Sequence, residues 1–452
     1  MSLNQGLTDL VAVALVAALA PLVVAVLPGP RIPQVVIFLL GGVLIGPHVL
    51  GLAETSAIQL LANIGLGFLF LLAGYELDTA LLRQQAGKLA TLGWAISAVI
   101  AVAVAGGLTA AGYIRDYVPV GLALTTTALG TLLPILRDND MLTGRFGRDV
   151  YAAGAVGELF PILIIAVFLT RRGHFIALAS VALVGVLALA LTAVPWLTGH
   201  QVVQRILQEG QDETAQITLR GAMVLLFVLL AVASRFGLDV VLGAMLAGMV
   251  LRGWARRSRM DMAGLERKFD AVGYGIFIPI FFISSGMTLD LKAIARDPLR
   301  LLIFFALLLI VRGLPSLLVY RRALPAWQRV EMTFITATTL PLLIALVDIG
   351  QQDGVMLPST AAALVGAGVL SVLVYPLHRG DPAPVGATHP CGRWDPRRRI
   401  GRRDQPGTGQ SRAVRPRRPE PAAAGLTGRM VRSVVVVMLS CWLPHPAAGG
   451  GG

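Results

Sequence analysis

Glu158 and Arg312 stand out by position. They are the only ionisable residues lying well inside apolar stretches long enough to cross a bilayer. Glu158 sits about eight residues into Val150–Thr170, near mid-membrane at ~1.5 Å per residue. Arg312 sits about twelve residues into Leu301–Tyr320 by the same measure. Ionisable groups at such depth are costly and mark ion or proton pathways. Loss of solvent favours the neutral form of a carboxyl, so such a group can hold a proton near neutral pH and trade it for a cation. A guanidinium does not lose its proton under these conditions. Arg312 is therefore a fixed positive charge, a core charge partner for an empty carboxylate or for helix ends. The plainer alternative is a buried ion pair that only fixes helix packing.

Two further segments break the rules of a membrane helix. One reads LALTTTALGTLLP from Leu122 to Pro134, with Thr125, Thr126 and Thr127 clustered. The other reads ITATTLPLLI from Ile335 to Ile344, with Thr336, Thr338, Thr339 and then Pro341. Threonine hydroxyls can replace backbone hydrogen bonds, and proline frees a carbonyl. Non-helical backbone at membrane depth is tolerated where it is buried or lines a cavity.

The elements that must position these residues follow from composition. Of 452 residues, 56% are hydrophobic and only 14% charged, and the mean hydropathy is +0.75. A soluble fold cannot cover that much apolar surface with so little polar surface. Disordered chains and disulfide scaffolds are excluded on the same ground. A crossing helix needs ~20 mostly apolar residues. Thirteen windows qualify: Leu7–Val26, Ile32–Val49, Ile58–Leu77, Leu89–Ala111, Val118–Leu136, Val150–Thr170, Phe175–Trp196, Leu219–Ser234, Leu238–Leu251, Val272–Leu289, Leu301–Tyr320, Met332–Gly350 and Thr360–Leu377. With the N-terminus outside, inner loops hold 17 Lys and Arg and outer loops 7, which orients the chain N-out, C-in. The threonine-rich segments occupy spans five and twelve. Six spans, a linker and six more give two halves of opposite topology, the inverted-repeat signature of secondary transporters.

Short motifs then add a family. The run GGVLIGP from Gly41 to Pro47, followed by Leu50 and Gly51, resembles the second-span signature of the monovalent cation:proton antiporter-2 family, the Kef-type exchangers. FLLAGYELD from Phe70 to Asp78 is similar to the motif that ends the family's third span. LGAMLAG from Leu242 to Gly248 and PIFFISSGM from Pro279 to Met287 resemble its ninth- and tenth-span motifs. The resemblance covers roughly residues 7–377. It implies an all-α fold of two inverted repeats with crossed broken helices, a core of spans at about 89–170 and 301–377, and a dimerising panel at about 7–77 and 219–289. It also implies elevator-like exchange of Na⁺ or K⁺ for H⁺ by a homodimer in the cell membrane. Glu158 falls where the family carries its transport acid, with Thr125, Thr126 and Thr127 beside it, and Arg312 at its core basic position. Gly157 departs from the pattern, since relatives carry Asp, Asn or Gln before the acid. One carboxylate then implies electroneutral exchange.

The rival readings fit less well. A sodium-coupled organic-anion carrier of a related inverted-repeat fold needs an open substrate cavity and more than one cation site. A channel needs a multi-site filter. A membrane enzyme finds no H-E-x-x-H, Walker A or G-x-S-x-G here, and no cofactor or resident metal is expected beyond the transported cation. Nucleic acid is not an expected partner either, although the formal net charge is +13. Residues up to His378 carry 25 Lys and Arg against 21 Asp and Glu, a net +4. The segment 379–452 carries 13 Arg against 4 acids, a net +9, together with both cysteines, Cys391 and Cys441. That Arg/Pro/Gly-rich tail is expected to be disordered or an out-of-frame translation.

Overall fold

The computed structural model describes residues 3–26, 33–115, 117–130, 144–168, 174–192, 216–257 and 262–375, and each of the thirteen apolar windows overlaps helix there, the fifth only in part. Pro134 and the tail 379–452 lie outside the described residues. The first half comprises α1 (Leu3–Val26), α2 (Gln34–Ile45), α3 (Thr55–Glu76), the short α4 (Thr79–Leu82), α5 (Gln85–Ala110), α6 (Tyr117–Leu124) and α7 (Gly144–Phe168). α8 (His174–Thr192) follows, then α9 (Ile217–Arg235), α10 (Val240–Arg257), α11 (Met262–Val272), α12 (Ile278–Met287) and α13 (Leu291–Arg296). The last are α14 (Pro298–Leu308), α15 (Pro315–Val319), α16 (Ala326–Ala337), α17 (Pro341–Gln352) and α18 (Pro358–Val374). Among the described residues, nine helical stretches are long and apolar enough to cross a membrane, and α2 and α18 are shorter apolar helices.

The tenth window is longer than its hydropathy suggests. α11 and α12 run together through a π-type turn at Gly273–Phe277, giving one stretch from 264 to 287. Its first turns carry Glu266, Arg267, Lys268 and Asp270 on one side and bury Leu265 and Phe269 on the other. Averaging over both faces hides such an end, although the four-residue apolar spacing is helical.

Helices pack in two neighbourhoods. α2 and α3 lie against α12, α10 lies between α3 and α9, and α1 covers α2. In the other, α5 packs on α6 and α7, while α18 packs on α14 and α17, and α17 meets α6. The first is held by reciprocal glycine contacts. A Cβ on Gly74 would meet the Met245 carbonyl oxygen at 2.1 Å, and one on Gly248 the Leu71 oxygen at 2.0 Å, across the α3–α10 contact. Gly42 and Gly286 do the same across α2–α12, at 2.0 Å from the Ile283 oxygen and 2.1 Å from the Leu39 oxygen. Small residues allow this backbone approach, and close approach supplies the packing energy that the hydrophobic effect cannot supply inside lipid. The short motifs of the sequence thus hold helix–helix seams.

Candidate functional site

The two threonine-rich segments are breaks, and they cross. α6 ends at Leu124, Thr125–Ala128 are non-helical, and helix resumes at Leu129 and Gly130. α16 ends at Ala337, Thr338–Leu340 are non-helical, and α17 starts at Pro341. Pro341 occupies the first turn, where a missing N–H costs nothing because no intrahelical acceptor awaits it. It starts the second half-helix rather than kinking a continuous one. The freed backbone groups of one break are met by the other. The Ala128 amide donates to the Thr338 carbonyl at 2.9 Å, Thr127 Oγ1 donates to the Thr336 carbonyl at 2.7 Å, and the Thr126 and Thr339 hydroxyls share a hydrogen bond of 2.6 Å. All six threonines are at most 1% exposed. Satisfied backbone is the condition for burying such segments in an apolar medium.

Local bonds complete the crossing. Thr125 Oγ1 donates to the Leu122 carbonyl at 2.8 Å and Thr126 Oγ1 to that of Ala123 at 2.7 Å. Thr336 Oγ1 donates to the Met332 carbonyl at 2.8 Å and shares a 3.1 Å bond with Ser316, and Thr338 Oγ1 donates to that of Phe334 at 2.9 Å. The Thr339 amide donates to Ser371 Oγ on α18 at 3.1 Å.

Glu158 is placed by α7, which runs unbroken through Pro161. Its Oε1 accepts the amides of Leu129 at 2.8 Å and Gly130 at 3.4 Å. These are the first N–H groups of the resumed half-helix, which have no intrahelical acceptor and carry the positive end of the helix dipole. Oε2 accepts no hydrogen bond from a described residue. Glu158 is 8% exposed.

Arg312 does not pair directly with that carboxylate. Its Nε donates to Thr127 Oγ1 at 2.9 Å and its Nη2 to the Ala153 carbonyl at 3.0 Å. The ion-pair alternative is therefore replaced by an arrangement in which carboxylate and guanidinium address different parts of one break. The reason is supply: the half-helix already offers Glu158 two amides, while Thr127 in the break and the Ala153 carbonyl of α7 offer Arg312 oxygen acceptors. Arg312 sits in a π-type turn, Leu309–Gly313, where the Leu314 amide reaches back to the Leu309 carbonyl at 3.0 Å. Pro315 follows directly. Lacking an N–H, it cannot close the normal bond to Val311, and such widened turns recur at functional sites.

Three contributors were not singled out by sequence reasoning. Pro161 has no N–H to give the Gly157 carbonyl four residues back. That carbonyl accepts the Thr127 amide instead, at 3.2 Å. A proline four residues after a small residue in an apolar helix was the available signal. Ser316 and Ser371 gave none, since isolated serines in apolar helices are common packing residues. Gly157 has its own role. A Cβ there would lie 2.7 Å from Arg312 Nη2, Thr127 Cβ and Thr127 Oγ1. Gly157→Ala is expected to destabilise the protein by about 1–3 kcal/mol through overpacking. Gly107→Ala on α5, with open space around it, is expected to stabilise by about 1 kcal/mol from helix propensity. Thermal unfolding of both variants in detergent checks the contrast, and equal midpoints would refute it.

With this geometry in view, the comparisons are decisive at family level. The family described as "Sodium/hydrogen exchanger, transmembrane" matches residues 12–379. The chain belongs to that family. Within it, the chain is 27% identical over 395 residues to the putative Na(+)/H(+) antiporter YjbQ of Bacillus subtilis (strain 168), covering 83% of this chain and 62% of that protein. It is 24% identical over 366 residues to the probable Na(+)/H(+) antiporter 3 of Methanocaldococcus jannaschii, covering 77% and 89% respectively. It is 25% identical over 358 residues to the glutathione-regulated potassium-efflux system protein KefC of Salmonella heidelberg (strain SL476), covering 75% and 55%. The chain thus spans less than two thirds of the Bacillus and Salmonella relatives. In fold it is similar to the sodium proton antiporter MjNhaP1 from Methanocaldococcus jannaschii at pH 8, with a TM-score of 0.61 and 17% identity over 82% of this chain and 95% of that one. That likeness establishes the antiporter-type all-helical fold. Among the described residues there is no group of three or more His, Cys, Asp and Glu that could hold a metal ion.

Proposed function

We propose that the chain is a secondary antiporter exchanging a monovalent cation, Na⁺ or K⁺, for H⁺, with Glu158 as its one exchangeable carboxylate. The observation that carries this reading is the placement of Glu158 at the crossing. One oxygen is held by half-helix amides, and the other is left for a proton or a cation. The two ligands exclude each other because both need the charge on one carboxylate. Thr125 and Thr126 give their hydroxyl hydrogens to backbone carbonyls, which leaves oxygen lone pairs for the hard cation such a site attracts. The reading is transport rather than enzymatic catalysis. It places the protein as a homodimer in the cell membrane, N-terminus outside and C-terminus cytoplasmic. The core, about 89–170 and 301–377, would move against the panel, about 7–77 and 219–289, in an elevator cycle. The two packing neighbourhoods support that division.

Arg312 bears on the stoichiometry. It carries the same charge whether Glu158 holds a proton or a cation, so its contribution cancels over a cycle. Gly157 leaves no room for a second acid. The exchange is therefore expected to be electroneutral, one cation per proton. In proteoliposomes, dissipation of an imposed pH gradient by Na⁺, K⁺ or Li⁺ tests the function. The same rate with and without a valinomycin-clamped potential, in a Na⁺ assay, tests the electroneutrality. Absence of cation-dependent dissipation would sink the first claim, and a voltage-dependent rate the second.

A further inference from the structure

A cavity of about 380 Å³ opens where the turn after α3, the short α4, α8 and α10 meet, well away from the crossing. Its mouth carries Arg83, Arg252 and Arg256, and its deeper wall carries Leu189, Leu246 and Met249. From Arg256 to Leu246 is about 15 Å of helix at the usual rise, so the polar end and the apolar wall are stacked along the membrane normal. α3 ends beside the mouth at Glu76 and α10 ends at Arg257, which sets the arginines at headgroup depth. α8, which supplies part of the wall, has only 22% of its apolar window buried in the protein, so the wall adjoins lipid. Gly185 and Ala188 on α8 leave room for a chain to enter. The Trp254 indole donates to the Leu191 carbonyl at 2.7 Å and clamps α10 to α8 at this level.

The described lining of the cavity holds three arginines and no acid. Asp78 faces the arginines: Arg256 Nη2 lies 2.8 Å and Arg252 Nη2 3.8 Å from its Oδ2. Burial alone would raise the Asp78 carboxyl, but the Arg256 hydrogen bond, the Ala80 amide and the Arg256 and Arg252 charges outweigh it and hold the group below the usual carboxylate range. Asp78 thus stays ionised and offsets one of three positive charges. Arg252 spends one N–H on the Tyr75 carbonyl, at 2.6 Å, yet its Nε is buried without a hydrogen-bond partner. A buried guanidinium N–H left without an acceptor calls for one.

We propose that this cavity binds an anionic phospholipid, its phosphate between Arg83, Arg252 and Arg256 and its acyl chain against Leu189, Leu246 and Met249. A basic mouth over an apolar wall open to the bilayer fits that amphiphile, whereas a soluble anion would leave the lower half of the cavity without a partner. Bound there, the lipid ties α8 to the ends of α3 and α10. The inference rests on membrane placement and not on the exchange chemistry.

The test uses the full-length protein in detergent, with thermal unfolding and native mass spectrometry as readouts. Phosphatidylglycerol is expected to raise the unfolding midpoint and to be retained, while phosphatidylcholine and inorganic phosphate do neither. Arg83→Gln and Arg252→Gln are each expected to lower phosphatidylglycerol affinity about fivefold, the loss for one surface arginine. Arg83 is exposed, so its variant keeps the test valid even where Arg252→Gln fails to fold. Equal stabilisation by phosphatidylcholine, stabilisation by inorganic phosphate alone, or unchanged phosphatidylglycerol affinity in Arg83→Gln would overturn the proposal.

Discussion

Glu158→Gln is expected to bring cation-dependent pH-gradient dissipation down to the level of protein-free liposomes, at every Na⁺ and K⁺ concentration, while the protein stays folded. The two halves of that expectation come from different atoms. Glutamine keeps the carbonyl-type Oε1, so the Leu129 and Gly130 amides retain their acceptor, and the exchange of a charge-assisted for a neutral hydrogen bond costs about 1–2 kcal/mol at most. What is lost is the charge for which proton and cation compete. Arg312 cannot substitute, because it neither releases a proton nor attracts a cation. Glu158→Asp is the informative companion. Shortened by one methylene, the carboxylate withdraws from the half-helix amides but still titrates, so slower exchange with an altered Na⁺/K⁺ preference is expected. Exchange by Glu158→Gln at the wild-type rate, measured on protein with an unchanged unfolding midpoint, would remove the mechanism.

The sequence exposed the chemistry of this site better than its wiring. Glu158 and Arg312 were legible because solvation physics leaves so few ionisable residues in apolar spans, and the threonine clusters because they violate helix rules twice in matching places. Their joint relation was not legible. Thr127 meets Arg312 and Thr336 across separations of 185 and 209 residues, and no local pattern encodes which hydroxyl faces which carbonyl. Proximity in depth suggested a pair between the two charges. The folded chain instead gives each charge its own partners: the resumed half-helix offers unpaired N–H groups to Glu158, and the Thr127 hydroxyl and the Ala153 carbonyl of α7 accept from Arg312. The glycine seams sit between these cases. Gly74 and Gly248 were visible as motif residues, but only the α3–α10 contact shows each facing the other helix's backbone.

Arg312→Ala is expected to cost both stability and exchange, and Arg312→Met separates the two. Truncation to alanine removes hydrogen bonds to Thr127 and Ala153 and empties the volume of a 3% exposed side chain. Large-to-small changes at such sites cost about 2–5 kcal/mol, which thermal unfolding in detergent reads as a lowered midpoint. Methionine fills much of that volume without burying a charge. Replacing a buried charge by an apolar side chain of similar size is often neutral or stabilising, so Arg312→Met is expected to unfold at or above the wild-type midpoint. Its exchange should nevertheless fall as far as that of Arg312→Ala. Thr127 then loses the donor that fixes its hydroxyl beside the break, and Glu158 loses the nearby positive charge that offsets its ionised form between release of one ion and binding of the other. Residual exchange in either variant should remain one cation per proton, since the titrating group is untouched. If Arg312→Met exchanges normally, the guanidinium is a packing element and its charge has no part in the cycle.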